Sequence, residues 1–277
     1  MLKNCVFIHV PRTGGSSIWH SLVALAGRNR GICDIYHQTR ATFGSPIRGG
    51  EIVDAVRQKV GDLPCLFHHH TSEPICDHFA PEESVFATVL RDPVDRFASE
   101  VIHSRNFLRT CGDPKFVAFH ERHWGRQYVR ALLSDDLTPR ELLNAAMAST
   151  FLHNYYTKYF SNLLGFRAAI ADTETITSGE YLSRLAEAIR SRIAVITRFE
   201  DLQTAYSKIV VAFALGSGDE RLERTINASA VKREEIKAER AHYRRLFRAD
   251  YALMEMLCPS EASPEATTES IPSGVAA

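Results

Sequence analysis

Val6-Phe7-Ile8-His9-Val10-Pro11-Arg12-Thr13-Gly14-Gly15-Ser16-Ser17 decides the fold. An apolar run of strand length ends in a Pro-Arg-Thr-Gly-Gly turn. Ile18, Leu22 and Leu25 then recur at helical spacing until Gly27 stops the pattern. The order is buried strand, turn, helix. It recurs at Val85-Phe86-Ala87-Thr88-Val89-Leu90-Arg91-Asp92-Pro93-Val94-Asp95-Arg96-Phe97-Ala98-Ser99, where Asp92 is placed to cap the helix and Pro93 suits its first position. In the first turn, Gly14 and Gly15 let the backbone approach a ligand closely. Ser16 and Ser17 fall at the helix N-terminus, where free N–H groups and the dipole attract negative charge. Arg12 and Thr13 add a cation and a hydroxyl. Gly-Gly-Ser-Ser alone would read as an ordinary turn, but Pro-Arg-Thr directly after a buried strand shifts the reading to a phosphate-like anion. The turn lacks the Gly-Lys-Ser/Thr ending of a Walker A loop, which counts against an ATPase or kinase. Two anion sites on one sheet edge imply a ligand with two separate phosphate-like groups.

Outward from these loops, strands are expected at residues 4–10, 65–70, 84–90 and 192–197. Helices are expected at 16–26, 51–60, from Asp92-Pro93 onward, 118–133, 140–164, from Glu200-Asp201-Leu202 to about 215, and 231–257. Residues 28–50, rich in Gly, Arg and Ser, read as loops. Alternating strands and helices predict an α/β chain, a single domain over residues 1–258 with a central parallel sheet flanked by helices. In such sheets ligands bind beyond the carboxyl ends of the strands, where both anion loops fall. Residues 259–277 are rich in Pro, Ser, Thr, Glu and Ala and are expected to form a disordered tail.

Composition narrows the function. Lys+Arg and Asp+Glu both number 33, so the net charge of zero argues against a general polyanion binder while leaving room for a local basic groove. No basic pattern interleaved with aromatics points to nucleic acid. The six cysteines form no CxxC pair, which argues against a structural zinc site. No apolar run reaches membrane-spanning length. The apolar stretch near Met1 is too short for a signal peptide, so a cytoplasmic protein with reduced thiols is expected.

Here a resemblance becomes specific. The first loop resembles the 5′-phosphosulfate loop of sulfotransferases that use 3′-phosphoadenosine 5′-phosphosulfate (PAPS), and Leu90-Arg91-Asp92-Pro93-Val94-Asp95-Arg96-Phe97-Ala98-Ser99-Glu100 resembles their 3′-phosphate motif. Order and spacing both match, and the likeness is nearest to the heparan sulfate 6-O- and 2-O-sulfotransferase type. It is thinner at His153–Phe160, at Thr197-Arg198-Phe199-Glu200-Asp201-Leu202 and at Asn227-Ala228-Ser229. The resemblance implies a nucleotide-kinase-like sulfotransferase fold. It also implies PAPS as co-substrate, held by Arg12, Thr13, Gly14, Gly15, Ser16 and Ser17 at one end and by Arg91 and Ser99 at the other. The acceptor would be a hydroxyl on a carbohydrate or, alternatively, on a peptide tyrosine. A third alternative is a module of this fold that binds the nucleotide without turnover. Arg12 stands where the family usually carries Lys, which stabilises the leaving group. Arg keeps the charge but is a much weaker acid, so charge stabilisation should survive while proton donation weakens. Asp92, Asp95, Arg96 and Glu100 read as helix capping and i,i+4 pairing.

Sulfuryl transfer to an alcohol needs a base, and in the resembled family a His at the end of a strand between the two loops serves. His68, His69 and His70 lie there. Strand alternation puts His68 and His70 on one face and His69 on the other. The family's Gly-His strand ending favours His70; an ungapped comparison through Ser72-Glu73 favours His68. Metal ligation is the rival, but an obvious third ligand is missing, with His78 the nearest in sequence. No metal is required. Arg105, Arg109, Lys115, Arg122, Arg126 and Arg130 read equally as a solvated helix face or as a groove for an acidic acceptor.

Overall fold

The computed structural model describes residues 3–27, 30–35, 49–61, 63–111, 114–134, 137–147, 149, 152–166, 173–222 and 240–259. In chain order the elements are β1 (Asn4–Ile8), α1 (Gly15–Ala26), β2 (Gly31–Asp34), α2 (Gly49–Val60), β3 (Cys65–His69), β4 (Ser84–Leu90) and α3 (Pro93–Cys111). There follow α4 (Pro114–Trp124), α5 (Arg126–Leu133), α6 (Pro139–Met147), α7 (Tyr155–Leu163), α8 (Thr173–Thr177), α9 (Gly179–Arg192), β5 (Val195–Arg198), α10 (Leu202–Ala212), α11 (Arg240–Leu246) and α12 (Arg248–Leu257). The five strands form one sheet in the order β2-β3-β1-β4-β5, and every pairing is parallel. The chain is therefore α/β, with a single all-parallel sheet flanked by helices.

Strand alternation divides the core. Cys5, Phe7, Leu66, Ala87 and Val89 turn to one face and bury Ile18, Trp19 and Leu22 of α1 with Ala205, Tyr206 and Ile209 of α10. Val6, Ile8, Phe67, Phe86 and Leu90 turn to the other and pack against α2, α7, α9 and α12. A separate apolar cluster joins α3, α5, α6 and α11 through Phe97, Val101, Tyr128, Leu132, Leu142 and Tyr243. No helix among the described residues is long and apolar enough to cross a membrane.

Four differences from the expected elements have local causes. Residues 31–34, read as loop, form the edge strand β2. Only Cys33 of its two apolar residues is buried and Ile32 faces outward, so the run carries no core-strand signal. Gly125, at φ 95°, breaks the expected 118–133 helix into α4 and α5. Asn154, at φ 45°, starts α7 afresh within the expected 140–164 helix. The last helix is likewise two, α11 and α12, meeting at Phe247. Its expected beginning before residue 240, the loop Asn227-Ala228-Ser229 and the tail beyond Pro259 lie outside the described residues.

Candidate functional site

β1 lies in the sheet between β3 and β4. The chain leaves β1 toward β2 on one side and leaves β4 toward β5 on the other. The carboxyl ends of β1 and β4 therefore flank a topological switch point, the crevice where open α/β sheets hold ligands.

The loop after β1 turns sharply. Arg12 (φ 69°) and Gly14 (φ 78°) are both left-handed, an outlying conformation for arginine. The Thr13 hydroxyl, buried, donates to the Val10 carbonyl at 2.8 Å and fastens the turn. Gly14 heads α1 with no side-chain cap, and the first turn of α1 holds no acidic residue. The Ser17 N–H folds back to the Gly14 carbonyl at 3.1 Å. The Gly15 and Ser16 amides have no partner among the described residues. They form a ready anion-binding end of a helix. Both glycines are required by space. A Cβ on Gly15 would sit 2.0 Å from the His9 ring, and one on Gly14 would sit 2.6 Å from the Phe199 ring.

The loop after β4 is closed differently. Asp92 Oδ1 accepts from the Val94 N–H (3.0 Å) and the Asp95 N–H (3.1 Å), so α3 is capped by its own carboxylate, as expected. Asp92 Oδ2 accepts from the Tyr251 hydroxyl at 2.8 Å and pairs with Arg240 at 2.7 Å. Tyr156, in the segment resembling an active-site helix, clamps the Arg91 backbone. Its hydroxyl donates to the Arg91 carbonyl at 2.6 Å and accepts the Arg91 N–H at 3.0 Å. The Arg91 guanidinium lies 4.7 Å above the Phe199 ring, and its Nη1 donates to the Arg12 carbonyl at 3.3 Å. Phe199, directly after β5, thus touches both loops.

The fold brings Arg12, Gly14, Gly15 and Arg91 together. Ser99 lies two turns along α3 on its buried face, with no hydrogen bond to Arg91. Arg12 Nε is buried without a hydrogen-bond partner. Burial lowers the Arg12 pKa, Glu100 opposes that, and Arg96 adds to it. Arg96 corrects an expectation. It makes no i,i+4 pair: it is 1% exposed and lies 3.9 Å over the Tyr155 ring with all three guanidinium nitrogens unbonded. Asp250, also buried, has its pKa raised by that burial, and the charge of Arg96 opposes the rise. Asp250 also accepts from the Tyr156 N–H (3.1 Å), the Thr157 N–H (2.9 Å) and the Thr157 hydroxyl (2.9 Å), capping α7 from α12.

At the end of β3, the expected alternation holds. His69 faces away from the other two, fully buried, its Nε2 donating to the Glu73 carbonyl at 3.0 Å. His68 and His70 share the α1 face with a residue missed in the sequence, His9. His68 Nδ1 donates to Asp34 Oδ2 at 3.0 Å, and its Nε2 meets His9 Nδ1 at 2.9 Å. The His9 and His70 ring centroids are 4.1 Å apart. The third imidazole is therefore His9; His78 pairs instead with Asp54 of α2 at 3.5 Å. Only the parallel register of β1 on β3, with the His9 N–H bonded to the His69 carbonyl at 2.8 Å, brings His9 there. Burial is the main force lowering the His70 pKa, to about 3; His68, Arg12 and His69 add to it and Asp34 opposes it. His9 is lowered too, again chiefly by burial. Near neutral pH the His70 ring is uncharged.

Of the basic residues, Arg105 and Arg109 donate to the Ser134 carbonyl, Arg105 at 3.1 Å, and so close the C-terminal end of α5. Lys115, Arg122, Arg126 and Arg130 are exposed. No family model and no curated protein matches the chain.

Proposed function

We propose that this chain is a sulfotransferase that moves the sulfuryl group of PAPS to an acceptor hydroxyl, on a carbohydrate or alternatively a peptide, by in-line displacement. One observation carries the reading. Two anion-competent loops occupy the carboxyl ends of adjacent strands at the switch point, and a neutral His sits at the end of the next strand on the other side of β1. A ligand with an anion at each end and a reacting centre beside one of them suits that arrangement.

In this reading the Gly15 and Ser16 amides and Arg12 receive the phosphosulfate end. Arg12 stabilises charge growing on the leaving oxygen, as an oxyanion site does. Arg91, with Ser99 further along α3, receives the 3′-phosphate. Tyr156 and Phe199 hold Arg91 in place through its backbone and its guanidinium face. His70 takes the acceptor proton. A pKa of about 3 makes a weak base, but the anionic co-substrate offsets the Arg12 charge that helps depress it and raises its basicity in the complex.

Incubation with radiolabelled PAPS and a mixed panel of carbohydrate and peptide acceptors tests the proposal. Label in an acceptor is the expected result. PAPS binding with no transfer to any acceptor would leave a nucleotide-sensing module, and activity with ATP alone would make the chain a kinase.

A further inference from the structure

We propose that His9, His68 and His70 form a binding site for one divalent transition-metal ion of the zinc class, and that its occupation switches off sulfuryl transfer. Only the second half rests on the sulfotransferase reading. The three side chains each offer a ring nitrogen, and these nitrogens all lie within 4.8 Å of one another. Metal–nitrogen bonds of about 2.0–2.1 Å in a tetrahedral site put ligand nitrogens about 3.4 Å apart, which small ring rotations reach from here. His9 and His68, at 2.9 Å, need to separate by only a fraction of an ångström. Three imidazoles leave a fourth position for water or another oxygen ligand.

The surroundings are built for ligation. Asp34 Oδ2 accepts from His68 Nδ1, which fixes the tautomer that turns a lone pair outward from Nε2. A carboxylate behind a ligating histidine is the usual outer-shell support of such sites. His68 is held flat between Trp19 (ring centroids 4.6 Å apart, 11° between planes) and Phe7 (6.2 Å, 10°). His9 is pinned by its N–H bond to His69 and by the close backbone of Gly15. His9 meets the ion through Nδ1 once its proton moves to Nε2, a tautomer change with no change of charge. His70, the least buried of the three, marks the side of entry. Because His70 is also the proposed base, the ion and the acceptor proton compete for one lone pair. Removing the ion therefore leaves turnover unchanged or raises it.

Titration of the full chain with cobalt(II) chloride, followed by visible absorption, tests the site without any turnover. One equivalent should give the d–d bands of a low-coordinate nitrogen- and oxygen-ligated ion, and zinc should displace it. His70→Ala should abolish the bands. Asp34→Asn, on the edge strand, should weaken binding by about 10–100-fold. Absence of a stoichiometric spectrum, a thiolate-to-cobalt charge-transfer band from any of the six cysteines, or an unchanged spectrum in folded His70→Ala would each overturn the site. With labelled PAPS, stoichiometric zinc should suppress transfer and a chelator should restore it. Transfer that persists with zinc bound overturns the inhibitory role. Cobalt bound as described in a chain that transfers nothing leaves the site standing and overturns the sulfotransferase.

Discussion

The loops after β1 and β4 share one plan, strand then turn then helix, yet they solve the helix N-terminus in opposite ways. α3 is closed by Asp92, which takes two of its free N–H groups and is itself held by Tyr251 and Arg240. α1 has no cap and no acid in its first turn, and reaches its start through left-handed Arg12 and Gly14. A capped helix end repels a second anion; an uncapped one invites it. In the proposed reading, loop one offers a ligand its backbone, whereas loop two offers a side chain, Arg91, and one sequence pattern thus serves two different kinds of anion contact.

The harshest way to break this comparison is to alter the backbone of loop one. Gly15→Ala forces a methyl into the His9 ring and misplaces the free amides, so nucleotide binding and turnover should both vanish. Asp92→Ala, the parallel lesion in loop two, should cost about 1–2 kcal/mol of stability and leave nucleotide binding measurable. Calorimetric binding of 3′-phosphoadenosine 5′-phosphate to both variants checks this. Tight binding by Gly15→Ala would remove the backbone role.

The two arginines sharpen the contrast. Arg12→Ala should lower kcat by about 10²–10³-fold, more than it weakens PAPS binding, because charge on the leaving oxygen grows in the transition state. Arg12→Lys should keep much of the activity. Arg91→Ala should act mainly on affinity, by about 10–100-fold, the worth of a charge-assisted hydrogen bond. Steady-state kinetics with labelled PAPS separates the two, and a fully active Arg12→Ala enzyme contradicts its role. Beside loop one, His70→Ala should cost about 10²-fold in turnover with nucleotide affinity nearly intact, and His68→Ala less. Full turnover in both variants would discard the base.

How much of this was legible follows from what each signal measures. The two loops and their strands could be read because apolar runs, turn glycines and Asp-Pro are local patterns. The Asp92 cap is local for the same reason. β2 could not be read, because an edge strand with a single buried residue carries no periodicity; with it went Asp34, the partner of His68. His9 was missed although it lies within the quoted stretch. Its meeting with His68 depends on which strand lies beside β1, and parallel register is not written in either strand. Arg96 read as an i,i+4 pairing residue, since spacing within α3 cannot reveal that Tyr155 of α7 covers it.

The smallest expected effect concerns acid stability at this end of β3. His69 and His70 both have pKa values held down to about 3 in the folded chain, chiefly by burial. Between that value and the ordinary 6.5, the unfolded chain binds more protons than the folded one. Stability therefore falls as pH drops below about 6.5, by about 1.4 kcal/mol per pH unit for each such group. His69→Gln keeps a donor for the Glu73 carbonyl and removes one titrating ring, so denaturation midpoints should fall less steeply with acid. An unchanged slope would show that His69 does not titrate on unfolding.

The central claim is that one ligand spans both loops, and the melting temperature tests it most directly. Saturating 3′-phosphoadenosine 5′-phosphate, at about 100 times its Kd, should stabilise the folded chain by about 2.7 kcal/mol and raise Tm by roughly 5 °C. AMP, which lacks the 3′-phosphate, should raise it much less, and Arg91→Ala should erase the difference between the two. Equal stabilisation by AMP and the bisphosphate in the unaltered protein would contradict the claim.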